Sequence, residues 1–421
     1  MTEALDRRFL AAAIGLGASA LGTTWPNPAV GAIVVKQGRV VGRARTARGG
    51  RPHAEALALA MAGEDARGAT LYVSLEPCAH HGRTPPCADA VVAAGVSRVV
   101  APIADPDPRV AGKGFQRLST AGIEVTAGMM PEEARQKQVG YLKRIEHGRP
   151  HVILKLAVSG DDAIGREGEA QVVVAGAIAR RHVQALRARF DAILVGRGTV
   201  EADDPQLTCR LPGLEGRSPV RVVLDSEGKL DAGRRVFDAD APTWVFVEEG
   251  KTQAVAAGGI TSPLRGGRSF RSEAEQGSVG GLGVAAPLPP PETGRAPLAG
   301  FDLPSRGRLR DASAGARNRI RHLAVPRGPT GLDLAACLRR LAEEGITRLL
   351  VEGGAHVARS LVETDLVDEV ILFRSPAPLG GRLVLALAGL PLSEIEASER
   401  FRRLERRRFG PDRMTLYERE R

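Results

Sequence analysis

His53, Glu55, Cys78 and Cys87 are the residues whose types and spacing best suit chemistry. One imidazole and two thiolates make a borderline-soft ligand set that zinc takes readily at tetrahedral geometry. Three protein ligands leave a fourth position for water, which is the arrangement of a catalytic zinc rather than a structural one. Zinc lowers the pKa of that water enough to supply hydroxide near neutral pH. Glu55 lies two residues from His53, close enough to face the water without being a ligand, and is the candidate proton shuttle. A lone His or Cys is ordinarily core or surface, and two Cys separated by eight residues mean little alone. The argument rests on the complete set: three ligands, a Glu and the Pro77-Cys78 step.

H-x-E followed by P-C and a second Cys is the pattern of the zinc nucleobase deaminases, in which the Glu passes protons to leaving ammonia. The spacing departs from the commoner P-C-x-x-C, since His80, Gly82, Arg83 and two prolines fill the gap. His53-Ala54-Glu55 with Glu76-Pro77-Cys78-Ala79-His80-His81-Gly82-Arg83-Thr84-Pro85-Pro86-Cys87 closely resembles the pyrimidine deaminase domain of the bifunctional riboflavin-biosynthesis deaminase/reductases. The resemblance implies a cytidine-deaminase-like fold. It assigns Asn27, in Pro26-Asn27-Pro28, to substrate binding, and has His80 and Arg83 reaching the base or the phosphate. Without it, Asn27 between two prolines reads as a turn former.

The elements that must present these residues read as alternating strands and helices, an α/β sandwich order. Val30–Val35 and Val40–Gly42 read as a hairpin around Gln37-Gly38. A helix over His53–Ala62 would place His53 and Glu55 in its first turn. Thr70–Leu75 reads as a buried strand with Cys78 just past its end. A helix from Pro86 to Ala94 carries Cys87 near its N-terminus, where the helix dipole favours a thiolate. Strands at Val96–Ala101 and Ile123–Val125 flank a helix over Gly114–Ala121. A further helix runs from Pro131 to about Glu146, so the deaminase domain is expected over residues 1–147.

Composition narrows the class. Hydrophobic residues at 43% and charged residues at 26% belong to a soluble globular chain, and 421 residues suffice for two cores. Only four Cys occur, which fits a reducing, cytoplasmic compartment. The net charge of +10 invites a nucleic-acid reading, but the basic residues are spread along the chain and aromatics are only 4%. A basic surface that welcomes phosphorylated small molecules accounts for the charge more simply. Phe9–Leu16 after Arg7-Arg8 resembles a short signal peptide, yet Glu3 and Asp6 spoil its basic start, so an Ala-rich first helix is expected. No stretch reaches the ~18–20 apolar residues that span a membrane.

His151–Ala157 opens a second α/β unit, expected over 151–421. It continues with a helix at Ala177–Ala188 and strands at Ala192–Gly196, Val220–Leu224 and Thr243–Val247. Residues 250–317 are rich in Gly, Pro, Ser and Arg without apolar periodicity, and read as a flexible, disordered insertion. Order resumes with His322–Val325, a helix at Leu334–Glu344 and a strand at Arg348–Val351. Glu352-Gly353-Gly354-Ala355-His356 then opens a helix. A strand, a Gly pair and a helix N-terminus make a usual anion cradle, although many such turns bind nothing.

Leu154-Lys155-Leu156-Ala157, Gly198-Thr199-Val200 with Ala202-Asp203-Asp204-Pro205-Gln206-Leu207-Thr208, and Leu349-Leu350-Val351-Glu352-Gly353-Gly354 follow the order of the reductase domain in the same family. That domain resembles dihydrofolate reductase in fold and takes its hydride from NADPH. The resemblance places Ala157, Thr199, Asp203, Ser226 and the turn Gly354-Ala355-His356 on NADPH. It places Lys155, Arg187, Leu207, Arg210 and Glu352 on the substrate. Lys155 is a candidate for polarising the reducing sugar, and the Arg pair suits a 5′-phosphate. Read alone, each Arg is a solvated helix face or loop, and Asp203-Asp204-Pro205 a helix cap or turn.

Two departures stand out: Ser159-Gly160-Asp161-Asp162 where the family shows S-L-D-G, and Val173 where a Trp often stacks. The expected protein is a cytoplasmic zinc- and NADPH-dependent enzyme of riboflavin synthesis acting on a phosphorylated pyrimidine, with no nucleic-acid or membrane partner. The resemblance suggests a homodimer through the reductase domain. The alternatives are a deaminase with a degenerate second half, a nucleic-acid-editing deaminase, and a zinc-stabilised scaffold.

Overall fold

The computed structural model describes residues 2–82, 84–169, 172–251, 320–329 and 331–420. The N-terminal part runs α1 (Glu3–Ala18), β1 (Gly31–Lys36), β2 (Arg39–Arg45), α2 (Ala54–Ala62), β3 (Thr70–Val73), α3 (Cys87–Ala93), β4 (Arg98–Ala101), α4 (Lys113–Thr120), β5 (Glu124–Ala127) and α5 (Pro131–His147). These form a five-stranded sheet in the order β2-β1-β3-β4-β5, with β1 antiparallel to both neighbours and β3, β4 and β5 parallel. Gly31–Val35 of β1 are all buried, so helices cover both faces. α1 packs with α5, while α2, α3 and α4 form a second row.

The first helix belongs to this core. Leu10, Ala13 and Ile14 are buried, and Asp6 is only 3% exposed because Arg98 (3.0 Å) and the Tyr72 hydroxyl (2.5 Å) bond to its carboxylate. The acid that spoils a signal-peptide reading is therefore an ion-paired anchor between α1, β3 and β4. His53 differs from expectation in one respect. It is the N-cap of α2 with extended backbone, and only Glu55 sits in the first turn.

The C-terminal part runs β6 (His151–Val158), β7 (Ala163–Arg166), α6 (Ala177–Arg187), β8 (Ala192–Gly196), α7 (Arg197–Asp203), β9 (Val220–Leu224), β10 (Thr243–Glu248), β11 (Ile320–Val325), β12 (Arg327–Gly328), β13 (Gly331–Leu332), α8 (Leu334–Glu343), β14 (Arg348–Val351), α9 (Ala355–Glu363), β15 (Glu369–Arg374), β16 (Leu383–Leu385), α10 (Ser393–Glu396), β17 (Phe401–Phe409) and β18 (Asp412–Arg419). Nine strands make one sheet, β11-β10-β9-β8-β14-β6-β15-β18-β17. It is parallel from β11 to β15 and closes on an antiparallel pair.

Strand alternation divides its core in two. Val152, Leu154 and Leu156 of β6, Leu194 of β8 and Leu349 of β14 face one side, with Leu338 and Leu341 of α8 and Leu361 of α9. Ile153, Ile193, Val195 and Leu350 face the other, with Ala179 and Val183 of α6. Burial on both faces explains why β8 and Leu349–Val351 of β14 read as uninterrupted apolar runs, while Lys155 interrupts β6.

Between β10 and β11 the stretch expected to be a flexible insertion lies, from residue 252 to 317, outside the described residues, and the chain resumes with Ile320 paired to Thr243. Among the described residues no helix is long and apolar enough to cross a membrane.

Candidate active sites

Three elements converge on the first site: the N-cap of α2, the loop after β3 and the first residue of α3. They bring His53 Nδ1 to 3.3 Å from Cys87 Sγ and 3.7 Å from Cys78 Sγ, and all three ligand atoms lie within 4.8 Å of one another. Tetrahedral zinc with S and N ligands needs donor separations of roughly 3.5–3.8 Å, so this set is already close to coordinating geometry. The backbone N–H of Cys87 donates to Cys78 Sγ at 3.3 Å. The Cys87 thiol and the His53 ring pull the Cys78 thiol down to about 4, while the same pairing, with burial, pushes Cys87 up. One acidified sulfur beside a second thiol and an imidazole is the donor chemistry a divalent soft cation takes.

Glu55 is 3% exposed, and its Oε2 has no hydrogen-bond partner among the described residues. Burial, with the Cys78 thiolate nearby, pushes its carboxyl up to about 7. A buried carboxyl oxygen without a partner is costly unless it faces a ligand. That orphan, beside the three donors, is the observation by which the pocket fits a zinc site.

The surrounding loops are built by acids that local pattern does not reveal. Glu76 accepts from the backbone N–H of Asp105 (3.0 Å), Gly112 (2.9 Å) and Gly114 (2.8 Å), tying the 105–115 loop beside Cys78. Asp105 is buried, accepts from the Tyr141 hydroxyl at 3.0 Å, and is pushed up to about 6 by burial. Asp107 is held by Arg109 and faces His80, whose Nδ1 is buried without a partner among the described residues. The proline-spaced acids of Asp105-Pro106-Asp107-Pro108 after a buried strand were the available signal. Asn27 donates from Nδ2 to the Gly50 carbonyl at 3.0 Å, on the loop that leads into His53. Arg83 lies outside the described residues.

The second site is a cleft of about 1090 Å³ across the carboxyl ends of β6, β8, β9 and β14, where open α/β sheets bind ligands. Lys155, Ala157, Thr199, Asp203, Ser226, Glu352, Gly354, Ala355 and His356 all line it. Parallel register sets Leu154 against Val351, so Lys155 and Glu352 follow side by side, Nζ to Oε2 3.7 Å. A Cβ on Gly353 would lie 3.0 Å from the Thr199 side chain, and Gly354 has φ +74°. The Gly pair thus lets α7 approach the N-terminus of α9.

Three expected substrate residues stand apart from the cleft lining. Arg187 bonds Glu352 through Nε at 2.8 Å and NH2 at 3.0 Å, and its NH1 donates to the Thr208 carbonyl at 3.1 Å. Burial alone would raise Glu352, but Arg187 and Lys155 hold it below the ordinary carboxylate range. Leu207 is 3% exposed within the core. Arg210 is exposed, and its backbone N–H donates to Gln184 at 3.0 Å.

Both departures from the family pattern are accommodated. Asp161 accepts from the Leu379 and Gly380 N–H groups, so the Ser159–Asp162 turn ties the segment after β15. Val173 lies on the cleft wall, 62% exposed.

Two family models match the chain. The cytidine and deoxycytidylate deaminase zinc-binding region covers residues 4–102, and the RibD C-terminal domain covers 150–257 and 309–412. The second match breaks and resumes around the Gly- and Pro-rich stretch, so both flanks belong to one domain family. The riboflavin biosynthesis protein RibD of Escherichia coli is 37% identical over 420 residues, 97% of each chain. That of Aquifex aeolicus is 32% identical over the full length of both. A crystal structure of a diaminohydroxyphosphoribosylaminopyrimidine deaminase/5-amino-6-(5-phosphoribosylamino)uracil reductase from Thermotoga maritima superposes with a TM-score of 0.74 at 30% identity, covering 99% of each chain. Acinetobacter baumannii RibD gives the same values.

Proposed function

Because the chain belongs to the RibD family of bifunctional riboflavin-biosynthesis deaminase/reductases, we propose that its two sites act in sequence on one phosphorylated pyrimidine. The first hydrolyses the amine of 2,5-diamino-6-ribosylamino-4(3H)-pyrimidinone 5′-phosphate. The second reduces the ribosyl group of the product to ribityl.

His53, Cys78 and Cys87 would hold zinc, which when bound activates water for attack on the amine-bearing ring carbon. Glu55 manages the protons. Buried beside the three donors, with Oε2 unpartnered among the described residues, it is placed to accept a proton from the attacking water and deliver one to the departing nitrogen. Water adds, the C–N bond breaks and ammonia leaves. Asn27 and His80 flank the pocket as candidate partners of the base.

In the second site Thr199, Asp203, Ser226 and the Gly354-Ala355-His356 turn would hold NADPH, which when bound supplies the hydride. Glu352 keeps Lys155 in place at the cleft, where its ammonium can hydrogen-bond the sugar oxygen as the anomeric carbon is reduced. Arg187 is a positioning residue, since its guanidinium is spent on Glu352.

The observation that carries this reading is the unpartnered, buried Glu55 Oε2 beside three zinc-type donors. Adding the diaminopyrimidine substrate to pure protein with NADPH should release ammonia and then oxidise NADPH. Glu55→Gln should keep its zinc while ammonia release falls by roughly 10²–10⁴-fold. Undiminished release in that variant would overturn the assignment.

A further inference from the structure

The first site does not stand on its own sheet alone. Segment 19–29, which carries Asn27, lies between the five-stranded sheet and the nine-stranded one, and its flanks are seated in the C-terminal half. Trp25 meets Trp244 of β10 edge to face at 6.3 Å, with Arg321 of β11 stacked 5.0 Å from the Trp244 ring. Arg217 donates to the carbonyls of Ser19 (3.2 Å) and Leu21 (2.7 Å). The neighbouring loop is held too, because Arg48 donates to the Gly216 carbonyl.

Three glycines show how closely the halves fit. A Cβ on Gly22 would sit 2.8 Å from the Arg189 backbone, one on Gly345 2.7 Å from Pro26, and one on Gly140 of α5 2.8 Å from the Thr347 carbonyl. The space left among Asn27, Gly140, Tyr141, Asp191 and Arg348 is about 10 Å³, at the limit for one water. A passive tether would not need approach this close at three places, two of them backbone to backbone.

Asn27 links this dock to the zinc ligands. Its N–H donates to Thr24 and its Nδ2 to Gly50, while the Gly49 N–H donates to Thr23. The segment clamped by the C-terminal half therefore sets the loop that ends in His53. We propose that the C-terminal half completes the deaminase site by holding segment 19–29, with Trp25 and Gly140 as positioning residues for Asn27. This rests on the deaminase reading of the first site.

The test uses the full chain with Trp25→Ala and, separately, Gly140→Leu. The second favours the helix while wedging the dock, so the two variants disturb one placement by unrelated routes. In both, KM for ammonia release should rise about tenfold with kcat held within about twofold. Bound zinc should be unchanged, and NADPH oxidation on supplied deaminated product should persist. Asn27→Ala should reproduce the KM rise, and Trp25→Phe should largely restore the parent value. An unchanged KM in both dock variants, or zinc lost in step with activity, would overturn the proposal. So would an unaffected Asn27→Ala. A parent protein that releases no ammonia would overturn the deaminase reading itself, and the proposal with it.

Discussion

Arg187 and Glu352 are 165 positions apart in sequence, yet each is the other's principal charge partner. Both side chains are nearly covered, 10% and 6% exposed, so the pair is better described by what its loss would cost than by what its presence contributes. Among the described residues, Arg187→Met would leave the Glu352 carboxylate with Lys155 alone, at 3.7 Å. We expect a loss of about 3–5 kcal/mol in urea denaturation. The double variant Arg187→Met/Glu352→Gln should recover part of it, because no carboxylate is left without its guanidinium and the remaining Lys155 ammonium opens on the cleft. Additive losses would show that the pair does not act as a unit.

At the scale of the element, the turn between β14 and α9 shows backbone shape deciding what a site can hold. Gly354 has φ +74° and would place a Cβ 3.1 Å from Thr199 Oγ1. A β-branched side chain there costs about 1–3 kcal/mol in backbone strain and pushes α7 from the cleft. Gly354→Val should therefore weaken NADPH binding by about tenfold or more in titration calorimetry, with the sheet intact by circular dichroism. Retained affinity would remove this turn from the cofactor site.

The whole molecule is joined at Asp368. Its carboxylate meets Lys143 of α5 (3.0 Å), Arg149 of the connector (2.6 Å) and the backbone N–H of Val152 in β6 (2.9 Å). Burial alone would raise this carboxyl, but Arg149 and His151 overcome it and hold it well below the usual range. A depressed folded-state pKa gives stability that is complete above the unfolded value, about 3.9, and is lost as pH falls below it. Asp368→Asn should thus cost about 3–5 kcal/mol at pH 7. The gap to the parent should narrow as pH falls from 4 toward 3, as read from urea midpoints. A gap independent of pH would mean that the carboxylate charge is not what joins the halves.

The first site was largely legible because its chemistry is local. His53 and Glu55 share a helix start, Cys78 and Cys87 bracket one loop, and thiol and imidazole have few other reasons to recur in that pattern. The parallel strands were legible for a related reason: burial on both faces leaves unbroken apolar runs at β8 and over Leu349–Val351 of β14. β17 left no such trace, since Phe401-Arg402-Arg403-Leu404-Glu405-Arg406-Arg407-Arg408-Phe409 is a largely exposed edge strand whose charges guard it from further pairing. Arg187 looked like a phosphate ligand because its partner cannot be read from neighbouring residues, and Asp105 did not stand out because burial is not written locally. By itself the sequence picked out three donors of zinc-binding type, the Glu beside them and the two-unit α/β plan, all of which follow from residue type and short-range period. Only tertiary structure decided which acids are buried, which cations are already committed, and that the flanks of Asn27 meet the far half of the chain. Those outcomes depend on contacts between residues as far apart as 36 positions for Asp105 and Tyr141 and 165 for Arg187 and Glu352, where each partner's identity is set by packing rather than by pattern.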